Sequence, residues 1–303
     1  MEKRTLGRTG LNVAVVGFGT LPMGGFYGPV DDAVSVKALH VAIDAGMNFI
    51  DTSDAYGAGH SERVVGAFLK ERADRDQILI CTKGGNNMIT GVRNFTPDYI
   101  RGCVEGSLQR LGIEAIDLYL LHNPTLENMQ ARDSFDVIET YKAQGKIQHW
   151  GVSVNTLPEC DYVVASGVPA VMQMEYNVLN QSAADVFARA HAAGVGVIAR
   201  VPLMRGLLSG RFGEHPTFAE GDRRSRILAP DRLPAMLDKV RQIQDIAATS
   251  GLSLLDIAMR FCVSNPHAAV TIPGIRTPDQ ARSNAAASTP LPAAMLDTLR
   301  QLA

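Results

Sequence analysis

Eight short apolar runs, at residues 13–18, 48–51, 78–82, 116–121, 147–152, 171–174, 195–199 and 268–272, punctuate the chain from end to end. Each suits a strand buried on both faces of a parallel sheet. The gaps between them hold helix-length segments. Strand–helix alternation of this kind implies parallel strands joined by right-handed crossovers. Eight units favour a closed (β/α)8 TIM barrel over an open, doubly wound sheet. The open alternative expects a G-x-G-x-x-G turn after its first strand. Here Gly17-Phe18-Gly19-Thr20 runs into Leu21, Pro22 and Met23, so that pattern fails. Residues 1–303 read as a single barrel domain.

Helix punctuation agrees with the alternation. Thr96-Pro97-Asp98 reads as an N-cap, an N1 proline and an acidic first turn. Behind it Ile100, Cys103, Val104, Ser107, Leu108 and Leu111 repeat at helical spacing until Gly112 stops the helix. Asp31-Asp32 opens another helix that ends at Gly46, and Ser253 opens a third that ends before Asn265-Pro266. Two additions to a minimal barrel stand out. Residues 5–6 and 11–13 flank a Gly-bounded stretch, 7–10, which predicts a short N-terminal β-hairpin capping the barrel bottom. Between the seventh and eighth runs lie about seventy residues, against about twenty-five for an ordinary unit. That stretch holds a Gly/Arg/Pro-rich loop, 205–234, and an extra helix near 235–249. An insertion on this side of a barrel usually serves the active site, and 205–232 is expected to order when a cofactor binds.

Composition limits the partners. Lys and Arg number 29 against 31 Asp and Glu, a formal net charge of −2, which disfavours a general nucleic-acid binder. The four cysteines, Cys81, Cys103, Cys160 and Cys262, form no C-x-x-C pair, so buried thiols in a reducing compartment are expected, with no metal site. No apolar run approaches a membrane span, and MEKRTLGRTG turns polar at once, without the apolar stretch of a signal peptide. A soluble, cytoplasmic protein with no membrane partner is the expectation.

The active site of such a barrel sits at the C-terminal ends of its strands. Those ends deliver Gly19 and Thr20, Asp51 with Tyr56 in the following loop, Lys83, His122-Asn123, Ser153, Gln173, Arg200 and then Gly274-Ile275-Arg276. Asp51, Tyr56, Lys83 and His122 make a chemical set. A phenol is a poor acid at neutral pH, and a nearby ammonium stabilises its phenolate. A carboxylate keeps that lysine charged, and an imidazole can orient a carbonyl. Together they can protonate the oxygen of a carbonyl that receives hydride, or deprotonate an alcohol in reverse. Taken singly, each has an ordinary structural reading: a turn cap, loop packing, a snorkelling rim lysine, a satisfied core histidine. Four compatible groups at adjacent strand ends favour the chemical one.

The stretches FIDTSDAYG (49–57), TKGG (82–85), DLYLLHNP (117–124), GVS (151–153), QMEYN (173–177) and PGIR (273–276) with Asn284 resemble the aldo-keto reductases. The resemblance runs from TLGRTG (5–10) to Asn284. It implies a (β/α)8 barrel and an NADPH-dependent reductase of aldehydes and ketones, or the reverse alcohol or sugar oxidation. It implies Tyr56 as general acid/base, Lys83 and Asp51 tuning it, and His122 orienting the carbonyl. Ser153 and Gln173 would bind the nicotinamide carboxamide, and Gly19 and Thr20 would lie against its ribose. Leu203, Arg205 and Gly206 would hold the pyrophosphate; Gly274, Arg276, Gln280 and Asn284 would surround the adenosine end.

Three departures from that pattern are visible, one of them the extended loop after the third strand, 84–95 (GGNNMITGVRNF). Val154 stands where the family usually has asparagine, with Asn155 one residue later, and Arg200 stands where an aromatic residue commonly stacks on the nicotinamide. A planar guanidinium can stack too. The other readings are a cofactor-binding regulatory subunit of the same fold and a metal-dependent barrel hydrolase using His122 and Asp51. Met23, Phe26, Tyr27, Met88, Phe95 and Met204 are candidates for an apolar mouth that takes a small-molecule substrate. A monomer is expected.

Overall fold

The computed structural model describes residues 1–212, 217, 218, 220, 222–228 and 233–302. The chain begins with an antiparallel hairpin, β1 (Lys3–Thr5) against β2 (Asn12–Ala14), with Arg4 opposite Val13. A short strand, β3 (Phe18–Gly19), is followed by α1 (Asp32–Asp44), β4 (Phe49–Asp51), α2 (His60–Lys70), β5 (Leu79–Gly84), α3 (Pro97–Leu111) and β6 (Ile116–His122). Two helices, α4 (Leu126–Ala131) and α5 (Asp133–Ala143), lead to β7 (Ile147–Ser153). Alternation resumes with α6 (Leu157–Ser166), β8 (Val171–Glu175), α7 (Ala184–Ala192) and β9 (Gly196–Arg200). The long connection carries α8 (Arg224–Ile227), α9 (Leu233–Ser250) and α10 (Leu254–Val263) before β10 (Val270–Ile272). Last come α11 (Pro278–Ala286) and α12 (Ala293–Arg300).

Among the described residues, β3 to β10 form one eight-stranded parallel sheet in sequence order. Its two ends meet. Val16 pairs with Thr271 and Gly19 with Gly274, both parallel, and Gly17 N–H reaches Thr271 O at 2.9 Å. This is the (β/α)8 barrel that the alternation implies, with α9 as the extra helix of the long connection.

The first apolar run departs from its expected form. It does not make one strand over 13–18. Residues 12–14 pair with the hairpin, and the barrel takes Phe18 and Gly19 with a bridge at Val16. Val15 is the point of transfer. Its N–H donates to Glu2 O at 3.0 Å on the hairpin side, and its C=O accepts from Thr271 N at 2.9 Å on the barrel side. One continuous apolar stretch therefore serves two sheets, which periodicity alone does not resolve.

The hairpin closes the bottom by burial. Leu6 and Val13 are fully buried with Phe49, Leu118, Leu120, Val171 and Ile198 inside the barrel. Arg4 fastens it to the far end of the chain by donating to the carbonyls of Val263, Asn265 and Ala268. The helix signals hold with one adjustment. Asp31 caps α1 by accepting from Ala33 N and Val34 N, and Ser253 forms a capping box with Asp256. Thr96 does occupy the N-cap of α3, yet its hydroxyl donates to Asn94 Oδ1 at 2.8 Å instead of capping.

Register sets the site. Gly19 lies opposite Asp51, His122 opposite Ser153, Ser153 opposite Gln173, and Ile272 opposite Arg200. Parallel pairing with little stagger thus brings these residues to one rim of the barrel.

Candidate active site

Asp51 ends β4, and the loop behind it folds back so that Tyr56 N–H donates to Ser53 O at 3.1 Å. That turn carries the Tyr56 ring over the end of β5. Lys83 there is fully buried, and its three donors are all used. Nζ lies 2.6 Å from Asp51 Oδ1, 2.7 Å from Thr52 O and 3.3 Å from Tyr56 Oη. The second carboxylate oxygen of Asp51 accepts from Gln173 Nε2 at 2.7 Å. The edge of the Tyr56 ring meets His122, with centroids 5.9 Å apart. The four residues predicted as a chemical set therefore stand together.

Their electrostatics follow from burial and from one another. Burial pulls the Lys83 ammonium down, but the Asp51 carboxylate, joined at high pH by the Tyr56 phenolate, outweighs it, so the proton is held more tightly than in free lysine. Burial pushes the Tyr56 phenol up, and the Lys83 charge opposes without reversing it. The expectation of a net downward pull by the ammonium is corrected here: desolvation wins, and the phenol stays protonated at neutral pH. Burial also takes the His122 imidazole well below its usual range, with Lys83, Arg200 and Arg93 pushing the same way. His122 is neutral.

A cavity of about 560 Å3 opens across the rim from Tyr56 and His122 to Gln280 and Asn284. Asp51, Ser153, Gln173, Arg200, Leu203, Arg205, Gly206, Gly274, Arg276 and Gly19 line it as well. Of the candidate residues, only Lys83 and Thr20 are absent from its wall. Lys83 acts from behind Tyr56. Thr20 is corrected: it is fully buried, with its hydroxyl donating to Asp51 O and accepting from Ser61 Oγ, so it braces the floor rather than facing the cavity. Of the apolar mouth candidates, Phe26, Tyr27 and Met88 line the cavity, whereas Met23 and Phe95 are packed in the core and Met204 packs against it, off the cavity wall.

The far half of the cavity is built for a polar ligand. Val201, Met204 and Arg205 carry positive φ, uncommon for residues with a Cβ, and Gly206 follows at +101°. Such strain is found where a backbone is shaped around a ligand. Arg276 donates to Tyr27 O at 3.3 Å, and its own N–H is held by Gln280 Oε1 at 2.9 Å. Two buried polar atoms, Asn284 Oδ1 and Arg200 Nε, have no hydrogen-bond partner among the described residues. An extended polar ligand fits the cavity's volume and the cations of its wall, Arg200, Arg205 and Arg276.

Three roles are not assigned from sequence, although Asn123 itself ends the fourth run beside His122. Asn123, left-handed at φ 60°, accepts from Ser153 Oγ at 3.2 Å. Ser53 Oγ lies 3.0 Å from His122 Nδ1. Arg223 reaches across the mouth to Met88 O. Each depends on a contact between distant segments, and no local motif announces it. Asn155 is engaged by Arg200 Nη2 at 2.8 Å, which also donates to Val154 O at 3.0 Å.

A closed parallel barrel with these groups on its C-terminal rim belongs to the class of barrel enzymes that work at their strand ends. The comparisons with known proteins narrow this. The family model described as "Aldo/keto reductase family" matches residues 15–303. Aldo-keto reductase YhdN of Bacillus subtilis is 31% identical over 289 residues, spanning 92% of this chain and 86% of the relative. Among solved structures, the holo form of aldo-keto reductase AKR11C1 from Bacillus halodurans superposes with a TM-score of 0.83 at 27% identity, covering 100% of this chain and 96% of that one. Glycerol dehydrogenase AKR11B4 from Gluconobacter oxydans gives 0.82 at 27% identity, over 96% and 92%. The chain belongs to the aldo/keto reductase family. It is an oxidoreductase that uses a nicotinamide cofactor.

Proposed function

We propose that the protein is an NADPH-dependent reductase of aldehydes and ketones that also runs the reverse alcohol oxidation, with residues 1–303 acting as one barrel domain. One observation carries the reading: Lys83 Nζ stands 3.3 Å from Tyr56 Oη while bonded to Asp51 at 2.6 Å. Bound NADPH would supply the hydride. Tyr56 Oη gives its proton to the carbonyl oxygen, and Lys83 stabilises the phenolate left behind. The raised pKa of Tyr56 suits this direction, since the acid must be protonated before it acts. Neutral His122 can donate from Nε2 to the same oxygen in the tautomer that carries its proton there.

Ser153, Gln173 and Asn123 would hold the carboxamide end, Arg200 would lie against the nicotinamide, the backbone at 203–206 would hold the pyrophosphate, and Arg276 would pair with the 2′-phosphate. Asp51 has both oxygens occupied by Lys83 and Gln173, so it is poorly placed for the metal-ligand role of a hydrolase. A small-molecule carbonyl or alcohol is the partner, a monomer is the working state, and the cytoplasm is the place of action. All four cysteines are free and buried, and among the described residues no single helix is long and apolar enough to cross a membrane.

The test is NADPH consumption with a panel of aldehydes and ketones, comparing the wild type with Tyr56→Phe. The Phe variant should lose at least about 10²-fold in rate while still binding NADPH. Near-normal turnover in the variant overturns the assignment of Tyr56. NADPH binding with no carbonyl turned over by the wild type would favour a cofactor-binding regulatory subunit.

A further inference from the structure

We propose that Ser53 and Asp54 are positioning residues that decide which nitrogen of His122 carries its proton, and thereby whether the cavity side of the imidazole donates or accepts a hydrogen bond. The inference rests on the reading of His122 as the group that orients the substrate oxygen. Ser53 is fully buried beneath the rim, and its hydroxyl is the hub. Ser53 Oγ accepts from Ala55 N at 3.1 Å. It lies 3.0 Å from His122 Nδ1, 3.2 Å from Lys83 O and 3.2 Å from Asp54 Oδ1. His122 Nε2 has no protein partner among the described residues and is left for the cavity.

The hydroxyl has one proton and two lone pairs. Ala55 N takes one lone pair. With Asp54 ionised, its carboxylate and the Lys83 carbonyl can only accept, so the hydroxyl proton turns toward them. The free lone pair then accepts from His122 Nδ1–H, and Nε2 faces the cavity bare. With Asp54 protonated, its O–H fills the second lone pair. The hydroxyl proton then turns to Nδ1, and Nε2–H faces the cavity as a donor. A donor suits a carbonyl oxygen gaining negative charge, and an acceptor suits an alcohol hydroxyl. No bond to carbon changes in this step; only protons on Asp54, Ser53 and His122 relocate.

Asp54 is placed to titrate in a useful range. Burial raises its carboxyl to about 6, with Glu62 from α2 adding to the rise and Cys103 and Arg110 from α3 and Ser53 opposing it. Tyr119 from β6 and Tyr99 from α3 are the other titratable groups that sense this carboxylate. The space is fixed, since a Cβ at Gly84 would collide with Tyr119 Oη and Cys103. On the other side of the hub, His122 faces Lys83, Arg200 and Arg93, and it remains neutral throughout. The switch is therefore one of tautomer, not of imidazole charge. Below the Asp54 pKa reduction is favoured, and above it alcohol oxidation gains.

The experiment combines the 15N shifts of His122 in the full chain with kcat for carbonyl reduction, both followed through pH 6. The wild type should pass from Nε2–H to Nδ1–H as pH rises, with an about tenfold fall in kcat, the worth of one hydrogen bond. Asp54→Asn cannot ionise, and its amide N–H fills the Ser53 lone pair, so it should hold Nε2–H and a flat kcat. Ser53→Ala should flatten the profile at a lower rate, and Ser53→Thr should restore the pH dependence. NADPH titration of each variant checks folding. A His122 tautomer that follows pH identically in wild type and Asp54→Asn overturns the inference. Tyr56→Phe run in parallel separates the two proposals: its survival as an active enzyme refutes the catalytic reading, whereas its inactivity beside an unaltered Asp54→Asn refutes only this one.

Discussion

Two opposed forces act on Tyr56, and their balance decides what each replacement should do. Burial pushes the phenol up while the Lys83 ammonium pulls it down. Lys83→Met deletes the pull and keeps the bulk. The phenol should rise further, so the ascending limb of alcohol oxidation, which needs phenolate, should move to higher pH, with an activity loss of at least about 10²-fold. An unmoved limb in a still active variant would show that Lys83 does not tune Tyr56. The same change strands the Asp51 carboxylate, whose side chain is only 3% exposed, and removing one partner of a buried pair costs about 3–5 kcal/mol. Asp51→Asn combined with Lys83→Met should recover part of that stability in a thermal melt without recovering rate. At this scale the four central residues were legible, because strand ends and loop position place them. Ser53 and Arg223 were not, since a serine or arginine has no signature for a partner on another strand, and Asn123 was legible as a strand-end residue but not in its bond to Ser153. The net direction at Tyr56 was also out of reach, because it depends on the extent of burial.

Elements add charge and direction to these residues. α11 begins with Thr277 capping Gln280 N–H and Pro278 in the first turn, so its N-terminus offers a favourable field to an anion. Arg276 stands just ahead of it on the cavity wall, tethered to Tyr27 O. A charge-assisted contact with the 2′-phosphate is worth about 1.5–3 kcal/mol, or roughly ten- to a hundred-fold in affinity. Arg276→Ala should weaken NADPH by about that factor and leave NADH nearly untouched, as read by titration of each cofactor. Equal weakening of both would place Arg276 against the adenine instead. The elements themselves were read well from sequence where caps and glycines mark their ends, as at Asp31, Gly112 and Ser253. The split of the first apolar run was hidden, since Val15 bonds the hairpin with its N–H and the barrel with its C=O.

At the scale of the whole molecule, the barrel is closed below by the hairpin and crossed above by part of the long connection. The expected cofactor-ordered loop over 205–232 lies partly outside the described residues, but 222–228 belongs to the described ones. Arg223 fastens it beside Arg224, whose guanidinium lies 4.9 Å from the Tyr27 ring centroid. Arg223 N–H donates to Phe26 O at 3.1 Å, its guanidinium lies 4.4 Å from the Phe26 ring centroid and its Nη2 reaches Met88 O. Phe26 in turn meets Tyr56 edge-on, with centroids 6.3 Å apart. One side chain thus joins the loops after β3, β5 and β9 above the reacting tyrosine. Arg223→Ala removes the side-chain tie and the cation–π contact together, while the backbone bond to Phe26 can persist. Amide exchange at 222–228 and around Met88 should quicken by up to about tenfold, the worth of one to two such contacts. KM for the carbonyl should rise with it, because the roof over Tyr56 loosens, whereas Arg223→Lys should keep charge but lose the planar stacking on Phe26 and fall between. Exchange unchanged from the wild type would mean that the crossing is held by other contacts and that Arg223 merely lies along it.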